Sequence, residues 1–587
     1  MMKFLIKTEI DPANIGLGAD KLFLGTWCLE KSDSSSWKKR SLNMLPYHWD
    51  DRVKYKEDYD YLSSVYEEIL CQLASDLNIL HGLTEDVRYW RIILGPWLRF
   101  FIDALFDRYE CIRLAREFSA DLTCKVQSYD LKDWCTSDFP EFYNLFTSQE
   151  WNEIIFSECI KYVGLPFKLD CNSEKLERRH DQKIYESHYS LRSILKRVSS
   201  TYSEIVGPHL TGTIVVGSYL PFFKALKFQL KIRKIPYFGS PIIDTGEVCV
   251  DEKIRKQLLT GYKEDGFIGF LVELLPTLIP SLYVENFSYV RGEVLRKFPR
   301  KPQIIFTANS YHGDEAFKIW AAEKTSEDVP LLIGQHGGLF GAGALNQSQD
   351  HQIKISDKFI SWGWSGRSKN KISNLPSLQL SGRSPIKRKP RGKVLHVLSG
   401  TPRYFFQHFS MPVAGQFLSY MEDQKTFLDD INGLILENIV IRFDRSLSER
   451  NFDMQALISE FGYSENVDQC DNSFLRALQE SSICICTYNA TSLLETLSLN
   501  FPTIIFWDPK FYELNISAEP FYEKLVDAGI LFYSPKDAAE KLNDIYDDID
   551  AWWFSDQVQT ARQVFCDRYA KTSSDCLANW SNFFKET

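Results

Sequence analysis

The sequence predicts an α/β fold with two Rossmann-like domains that face each other over a cleft. Short strands of the buried type alternate with amphipathic helices from about residue 212 onward, and a basic linker interrupts the alternation once. The first 200 or so residues are richer in helix and form an N-terminal elaboration. Strands that alternate with helices build parallel sheets, because each crossover connection places a helix on a face of the sheet.

The length of 587 residues calls for more than one domain, and composition places the boundaries. We predict a helix-rich elaboration over 1–205, which belongs to the first domain, and a Rossmann-like part of that domain over 206–380. Residues 381–393, SGRSPIKRKPRGK, are basic, contain two prolines and have no apolar run, which is typical of a linker. Residues 394–587 form the second Rossmann-like domain.

Individual elements follow from the periodicity of apolar residues. Predicted strands of the first domain are TIVVGSYL, QIIFTAN, PLLIGQ and KFISWGW, with the helix DEAFKIWAAEK between the second and the third. Predicted strands of the second domain are KVLHVLSG, NIVIRF, ICICTYN and PTIIFW, with helices between them. The apolar tract FIGFLVELLPTLIPSLYV carries two prolines and a glutamate, so we expect a broken core helix and not a membrane span.

Composition excludes several classes of function. The net charge of −10 argues against a nucleic-acid partner, which would normally require a basic surface. The thirteen cysteines are scattered without the spacing of a zinc site, so we predict reduced thiols, a cytoplasmic location and no metal centre. Neither a dinucleotide fingerprint nor a phosphate-binding P-loop motif is present, so NAD and P-loop ATP chemistry lose support.

A predicted strand end followed by a helix start offers a place for a phosphate. Asn489 ends the strand ICICTYN, and Thr491 and Ser492 lie in the first turn of the next helix. A helix N-terminus has free N–H groups and a positive dipole end, and two hydroxyls add further donors. Glu495, one turn later, can accept hydrogen bonds from ribose hydroxyls. The alternative is an ordinary capped helix without a ligand.

The segment LLIGQHGGLFGAGA, at the end of another predicted strand, is rich in glycine. Glycines let a backbone approach a ligand closely, so Gly337 and Gly338 are candidates for contact with a negatively charged donor. His336 can donate to an anion or move a proton near neutral pH, and Gln335 precedes it. The alternative is a histidine satisfied within a loop.

Two carboxylates follow the predicted strand QIIFTAN. Asp314 and Glu315 lie in the first turn of the next helix, where they can act as a nucleophile or a general base if they face the cleft. Carboxylates at this position also cap helices, and this alternative stays open.

Two arginines complete the set of candidate site residues. Arg403 follows the strand KVLHVLSG, and Arg442 ends the strand NIVIRF. Both are placed where open α/β sheets bind ligands, at the carboxyl ends of strands. Each can reach the phosphate of a nucleotide.

Several motifs together resemble one family of bacterial transferases. FLGTWCL (23–29), LPYHWDDRVKY (45–55), RYWRIILGPWL (88–98) and LFDRY (105–109) occur in order, followed by GQHGG, SDKFISWGW and TYNATSLLETLSLNFPTIIFW. The chain is similar over nearly its whole length to transferases from surface-polysaccharide and O-antigen gene clusters, first noted in spirochaetes.

The resemblance implies a GT-B-like glycosyltransferase, similar in outline to transferases that use CMP-activated ulosonic acids such as Kdo. In such enzymes the C-terminal domain holds the nucleotide and the N-terminal domain holds the acceptor. Thr491, Ser492 and Glu495 would then contact phosphate and ribose, while His336, Asp314 and Glu315 would face the transferred sugar. The His-Pro dipeptide of many CMP-Kdo transferases is absent, so UDP and GDP remain alternatives.

The resemblance further implies the partners. They are a nucleotide sugar and a surface glycan or lipid-linked glycan, with no metal or other cofactor. The basic linker offers a peripheral contact with the inner face of the cytoplasmic membrane, beside the alternative of a solvated linker. Two other functions stay open, a sugar-nucleotide epimerase with the same two-domain shape and a non-catalytic nucleotide-binding scaffold.

Overall fold

The structure is a computed structural model in which the strands of the described residues form three separate parallel sheets. The predicted α/β class and the two facing parallel-sheet domains are confirmed. No helix in the described ranges combines the length and the apolar character that a membrane span requires. The structure describes residues 3–10, 20–29, 43–119, 121–169, 176, 178, 191–232, 235–243, 249–262, 264–366, 370–384, 386–444, 450–468 and 472–587.

The N-terminal region contains a sheet of its own, which the sequence analysis did not predict. Its strands run in the order β2-β1-β3-β4, all parallel. Each is only three to five residues long, so the apolar pattern is too short to stand out beside two long helices. Part of the predicted region 1–205 lies outside the described residues. The strands are β1 (Lys3–Ile6), β2 (Lys21–Phe23), β3 (Leu122–Val126) and β4 (Phe167–Leu169), and the helices are α1 (Arg52–His81), α2 (Val87–Phe118), α3 (Phe139–Leu145), α4 (Gln149–Val163) and α5 (Leu191–Val206).

The middle sheet has its strands in sequential order, β5-β6-β7-β8-β9, and all neighbours are parallel. The four strands predicted for this domain are confirmed, and the apolar tract FIGFLVELLPTLIPSLYV forms two helices broken at the second proline. The strands are β5 (Thr211–Val216), β6 (Lys301–Thr307), β7 (Leu331–Gly334), β8 (Lys358–Ser361) and β9 (Ile372–Asn374), and the helices are α6 (Phe222–Ile232), α7 (Glu252–Arg255), α8 (Gly266–Leu278), α9 (Ser281–Val284), α10 (Phe287–Lys297), α11 (Ser310–Gly313), α12 (Glu315–Ser326) and α13 (Gln347–Ile355).

The C-terminal sheet has the order β11-β10-β12-β13-β14, again all parallel. Its predicted strands and helices are confirmed. The strands are β10 (Lys393–Val397), β11 (Ile439–Arg442), β12 (Ser481–Cys486), β13 (Thr503–Phe506) and β14 (Leu531–Phe532), and the helices are α14 (Phe417–Asp430), α15 (Gly433–Leu436), α16 (Met454–Glu460), α17 (Phe474–Gln479), α18 (Thr491–Ser498), α19 (Glu519–Asp527), α20 (Pro535–Ile545), α21 (Ile549–Trp553), α22 (Asp556–Tyr569) and α23 (Cys576–Glu586).

The order of the C-terminal sheet fixes where a ligand can bind. The chain leaves β10 toward β11 on one side and returns on the other side as β12. Open α/β sheets bind ligands at such a reversal, in the crevice beyond the carboxyl ends of the strands. The loops that follow β10 and β12 are therefore the ones that border this crevice.

The last helix returns to the middle sheet. Trp580 of α23 is buried against Phe306 and Phe228, with ring centroids 5.2 and 5.8 Å away, and its Nε1–H donates to the Pro376 carbonyl at 2.8 Å. The chain thus crosses between the two domains a second time. This crossing adds apolar contacts that hold the domains in one arrangement.

Helix α2 connects all three parts of the protein. Its 32 residues span about 48 Å at the usual rise of an α-helix. Near its start, the Tyr89 hydroxyl donates to Glu323 of the middle domain at 2.5 Å. Near its end, the Arg108 guanidinium donates to the Phe405 carbonyl in the loop after β10 at 3.0 Å. Both sheet domains are therefore hydrogen-bonded to the same helix, α2.

Candidate active site between the domains

The glycine loop after β7 and the N-terminus of α18 touch each other directly. The Gly338 N–H donates to the Thr491 Oγ1 at 3.0 Å. A Cβ atom on Gly338 would lie 2.3 Å from the carbonyl carbon of Ala490, whereas one on Gly337 would lie 3.3 Å from Thr491 Oγ1. Two segments more than 150 residues apart in the sequence thus meet in one cleft. At Gly338 the missing side chain allows two backbones to approach each other.

His336 presents a bare nitrogen lone pair in this region. Its Nδ1 is buried and has no hydrogen-bond partner among the described residues. Burial lowers the pKa of His336 to about 4, although the adjacent Ala308 backbone opposes this shift. At neutral pH the ring is therefore uncharged, and in the tautomer with its hydrogen on Nε2 the Nδ1 can accept a proton or a hydrogen bond.

Aromatic rings surround His336. Its ring centroid lies 5.3 Å from Phe340 and 5.7 Å from Tyr219, which belongs to the loop after β5. These rings cover part of the imidazole. Sequence reasoning did not find Tyr219, because nothing in its local pattern links it to the distant histidine.

The crevice beyond β10 and β12 is closed at its base by hydroxyl groups. Thr487 Oγ1 donates to the Val397 carbonyl at 2.9 Å and lies 2.5 Å from the Tyr420 hydroxyl. Tyr420 also accepts from the Ser399 N–H at 2.8 Å. These bonds fix the ends of both strands. Tyr420 comes from a helix with no sequence motif, so this role was not predicted.

Asn489 offers a donor at the mouth of the crevice. Its Oδ1 accepts from the Tyr522 hydroxyl at 2.9 Å, which orients the amide. Its Nδ2 is buried and has no partner within the described part of the chain. A buried donor without a partner costs free energy unless a ligand or water satisfies it, so Asn489 fits the predicted role of donor binding.

The other polar residues of α18 differ in their partners: the Ser492 hydroxyl has none among the described residues, whereas Glu495 and Thr491 each have one. The Ser492 hydroxyl is buried beside the phenol of Tyr488; burial raises the Tyr488 pKa to about 12, although the contact with Ser492 opposes this shift. Glu495 accepts from the Arg383 guanidinium at 2.8 Å through one carboxylate oxygen, and its predicted contact with a ribose stays a prediction. Thr491 accepts the bond from the glycine loop already described.

Arg383 is a cation that sequence reasoning missed. It lies in the segment predicted as a linker, where an arginine among lysines attracts no notice. Besides Glu495, it donates to the Gln379 carbonyl at 3.1 Å, while its Nη1 is buried without a partner among the described residues. The neighbouring Lys224 donates to the Ser381 carbonyl at 2.6 Å; burial lowers the Lys224 pKa, and the charge of Arg383 lowers it further. A positive region thus lies beside α18.

Gln335 supports the glycine loop and does not face the cleft. Its Oε1 accepts from the Trp362 N–H at 3.0 Å and from the Trp364 Nε1–H at 2.8 Å. Its Nε2 donates to the Gly337 carbonyl at 2.8 Å. Contrary to the prediction of donor binding, the amide is used to fix the loop from behind.

Asp314 acts as a helix cap, the alternative that the sequence left open. Its carboxylate accepts from the Phe317 N–H at 3.0 Å at the start of α12, and the Ser240 hydroxyl donates to its other oxygen. Both oxygens are thus engaged. The predicted catalytic role is not supported by this geometry.

Glu315 belongs to a buried polar cluster on the N-terminal side. It accepts from the Tyr283 hydroxyl and from the Lys318 ammonium, both at 2.9 Å, and from the Phe139 N–H at 3.2 Å. Burial raises the pKa of the nearby Asp138 to about 6, and the charge of Glu315 adds to this shift. The cluster ties the middle domain to α3 through Glu315 Oε1, while Oε2 is buried without a partner among the described residues, so the predicted catalytic role stays a prediction.

Arg403 and Arg442 are engaged in ion pairs. Arg403 is 5% exposed and donates to Glu9 at 2.6 Å and to the Trp27 carbonyl at 2.8 Å, with a further bond to the Leu29 carbonyl. Arg442 donates to Asp468 at 2.6 Å. Contrary to the prediction, Arg403 anchors the loop after β10 to the N-terminal sheet, which the sequence did not reveal.

This anchor predicts a stability effect at Arg403. In Arg403→Met we expect a loss of about 2–3 kcal/mol in unfolding free energy, because Glu9 and two carbonyls lose a largely buried partner. Nucleotide-induced stabilisation stays unchanged. Arg442→Met is the matched control and costs under about 1 kcal/mol, since the Arg442 guanidinium is more exposed than that of Arg403. Chemical denaturation measures both values, and a nucleotide response lost only in Arg403→Met would contradict this assignment.

A group of possible metal ligands lies elsewhere, in the N-terminal region. Ligand atoms of His48, Asp107 and Cys111 lie within 4.8 Å of one another, beside an apolar cavity of about 310 Å³. Asp107 accepts from the Tyr47 hydroxyl at 2.6 Å and from the Arg108 guanidinium at 2.8 Å. The adjacent guanidinium opposes a bound cation. We treat the group as a hydrogen-bonded core network.

The fold and the meeting of strand-end loops define a two-domain α/β protein with an interdomain cleft. The particular family follows from comparison: residues 3–584 match the model of the LIC12162 family transferase, and the chain belongs to this transferase family. No curated protein matches the chain. The transferase identity expected from the motifs is thereby confirmed.

Several solved structures resemble the chain, among them the following two. One is MurG of Acinetobacter baumannii, at 12% identity and a TM-score of 0.32, over 64% of this chain and 99% of MurG. The other is HepE (Alr3699) of Anabaena in complex with UDP, at 10% identity and a TM-score of 0.32, over 64% of this chain and 99% of HepE.

Proposed function

We propose that the protein is a GT-B-like glycosyltransferase that moves a sugar from a nucleotide donor to a bacterial surface polysaccharide or a lipid-linked glycan. The observation that carries the proposal is the contact of Gly338 with Thr491, which brings a bare imidazole and a helix N-terminus into one cleft. Membership of a transferase family supports the reaction type.

His336 replaces the two carboxylates as the proposed general base. Its Nδ1 takes the proton of the acceptor hydroxyl as the oxygen attacks the anomeric carbon and the bond to the nucleotide phosphate breaks. In the proposed tautomer Nε2 carries the hydrogen, and the adjacent Ala308 backbone favours the imidazolium that forms, since it opposes the lowering of the His336 pKa by burial.

The leaving phosphate is placed at the N-terminus of α18. The Asn489 Nδ2–H, the Ser492 hydroxyl and free backbone N–H groups of the first helical turn would stabilise its negative charge. The unpartnered Nη1 of Arg383 supplies a positive charge nearby. These groups perform the role that a metal ion has in other transferases, so we propose a metal-independent reaction.

The proposed donor is a CMP-activated ulosonic acid, with UDP- and GDP-sugars as alternatives. This choice rests on the resemblance of the motifs to surface-polysaccharide transferases. The proposed location of the enzyme is the cytoplasm, at the inner face of the membrane that carries the acceptor. An epimerase would act without acceptor, and a scaffold would not turn over its donor.

The test is a thermal-shift measurement with CMP, UDP, GDP and ADP, followed by donor-turnover assays. We expect one nucleotide to raise Tm by a few degrees at a hundredfold excess over Kd, where binding stabilises the fold by about 2.7 kcal/mol. Thr491→Ala with Ser492→Ala abolishes the shift. In His336→Ala the shift persists, while turnover falls by about 10²-fold or more because the proton acceptor is lost.

Asp314→Asn is the control for the catalytic assignment. It weakens a helix cap, so it costs about 1 kcal/mol of stability and leaves turnover near the level of the wild type. Absence of any nucleotide shift together with absence of donor turnover would favour the scaffold. Turnover of the nucleotide sugar without an acceptor, to an isomeric nucleotide sugar, would favour the epimerase.

A further inference from the structure

One surface of the middle domain carries charge of the opposite sign to the rest of the protein. No Asp or Glu occurs between Glu204 and Asp244, while five basic residues fall in this interval: Lys224, Lys227, Lys231, Arg233 and Lys234. The whole chain has a net charge of −10, so this segment is a strong local exception. Arg233 and Lys234 lie outside the described residues and enter only through the sequence.

The same segment exposes large apolar side chains. Phe223 is 82% and Phe222 60% exposed, and Leu230 is more than half exposed. The ring of Phe222 stacks on Phe238 at 5.6 Å and touches Phe223 at 5.5 Å, so the rings form a continuous patch. Ile242, four residues after Phe238, is also more than half exposed.

Apolar and basic residues share one face of helix α6. Phe223, Lys227, Leu230 and Lys231 follow at intervals of three and four residues, which places them along one outward stripe. The opposite face buries Phe228 against the last helix. Among the described residues no carboxylate pairs with Lys227 or Lys231.

The composition of this face indicates its partner. The centre of a protein–protein interface is depleted in lysine, whereas here lysines alternate with aromatic and aliphatic side chains. Helices that lie in the interface of a bilayer combine an apolar face with lysines that meet anionic headgroups. The charge and the apolar stripe therefore fit an anionic lipid surface better than a folded protein.

The position of the patch connects it to the cleft. The loop that precedes α6 contains Tyr219, whose exposed ring reaches His336 at 5.7 Å. The patch thus begins at the wall of the proposed active site. An acceptor held in a bilayer under α6 would approach His336 along this wall.

We propose that the surface formed by Tyr219, Phe222, Phe223, Lys227, Leu230 and Lys231 docks the enzyme onto a bilayer that contains anionic phospholipids. This proposal rests on the proposed function for its biological meaning, since it brings a lipid-linked acceptor to the cleft. It places the membrane contact on α6 and not on the linker at 381–393.

The experiment is co-sedimentation of the full-length protein with vesicles of phosphatidylcholine alone or with one quarter phosphatidylglycerol. We expect binding to the anionic vesicles that weakens at high salt, and little binding to the neutral ones. Lys227→Glu with Lys231→Glu, and separately Phe222→Ser with Phe223→Ser, should each weaken binding at least tenfold. Both double variants should keep the Tm of the wild type, because the altered side chains are exposed.

Matched controls lie on other surfaces. Phe118→Ser with Phe554→Ser removes two aromatic rings of similar exposure, and Lys256→Glu with Lys536→Glu makes the same charge change. Both controls should bind vesicles as the wild type does. Wild-type protein that stays in the supernatant, or α6 variants that bind normally, would overturn the proposal.

Two further measurements distinguish a bilayer from a second copy of the chain, and membrane docking from nucleotide binding. If sedimentation velocity reveals a dimer that Phe222→Ser with Phe223→Ser converts to a monomer, a second copy covers the patch and the proposal fails. The α6 variants should retain the nucleotide-induced thermal shift. A protein that binds vesicles through α6 but lacks any nucleotide response would disprove the proposed function while it supports the docking surface.

Discussion

Acidification from pH 7 to pH 5 should remove most of the stability of this protein, because several mostly buried histidines are neutral in the folded state. Burial lowers the pKa of His312 and His351 to about 3 and of His336 and His396 to about 4. In the unfolded chain their pKa lies near 6.5, so below that pH the unfolded state binds more protons than the folded state. The histidine contribution is therefore intact above about pH 6.5 and is lost as the pH falls toward 4.

The expected size follows from linkage. Each of these histidines lowers the free energy of unfolding by up to about 1.4 kcal/mol per pH unit below 6.5. The four together therefore lower it by at most about 8 kcal/mol at pH 5. Burial raises the pKa of Asp138 and Asp423 to about 6, and these carboxyls oppose the loss by at most about 3 kcal/mol. The net loss of about 5 kcal/mol is comparable to the whole stability of many proteins. Denaturant unfolding between pH 5 and 7.5 measures it.

A single substitution checks the cause. His351→Asn should reduce the pH slope by about 1.4 kcal/mol per unit below pH 6.5, since one proton-binding site of the unfolded chain disappears. His209→Asn, at an exposed position, serves as the control and should leave the slope unchanged. A flat stability profile from pH 7 to pH 5 in the wild type would rule out the burial of neutral histidines.

Gly338→Ala should separate the two domains or destabilise their contact by about 3 kcal/mol. The added methyl group would lie 2.3 Å from the carbonyl carbon and 2.6 Å from the carbonyl oxygen of Ala490, and both are backbone atoms that cannot rotate away. Forced contacts of this kind usually cost about 1–3 kcal/mol or move the backbone. We expect a lower Tm and a larger radius of gyration in X-ray scattering.

Gly337→Ala is the matched control one residue earlier. Its methyl group would lie 3.3 Å from the Thr491 Oγ1, at the limit of normal contact, so a small adjustment of one hydroxyl accommodates it. Its Tm should stay within about 2 °C of the wild type, in line with a cost of under about 1 kcal/mol. Equal effects of the two substitutions would mean that the loops do not approach as described.

The same contact bears on catalysis. The Gly338 N–H and the Thr491 hydroxyl are hydrogen-bonded to each other in the described arrangement. A nucleotide at the N-terminus of α18 would compete for the Thr491 hydroxyl, so binding and the relative position of the loops are coupled. Helix α2, which contacts both sheet domains, limits how far the loops can separate.

The sequence by itself determined the alternation of strands and helices over the last 380 residues or so. It also singled out the two segments proposed to bind the donor, because a buried strand followed by glycines or by hydroxyl residues is a local pattern. Asn489, His336 and Thr491 could therefore be proposed as site residues without coordinates. The short strands of the N-terminal sheet could not, since three to five apolar residues carry no clear period.

Only the tertiary structure decided which side chains remain free for chemistry. Asp314, Glu315, Gln335 and Arg403 have the right type and position in the sequence, yet each forms a hydrogen bond with a residue of another segment. Conversely, Arg383 gains an open guanidinium nitrogen beside α18 although its surroundings in the sequence indicate a linker. The physical reason is that local patterns fix backbone conformation, whereas the availability of a polar group depends on long-range hydrogen bonds and burial.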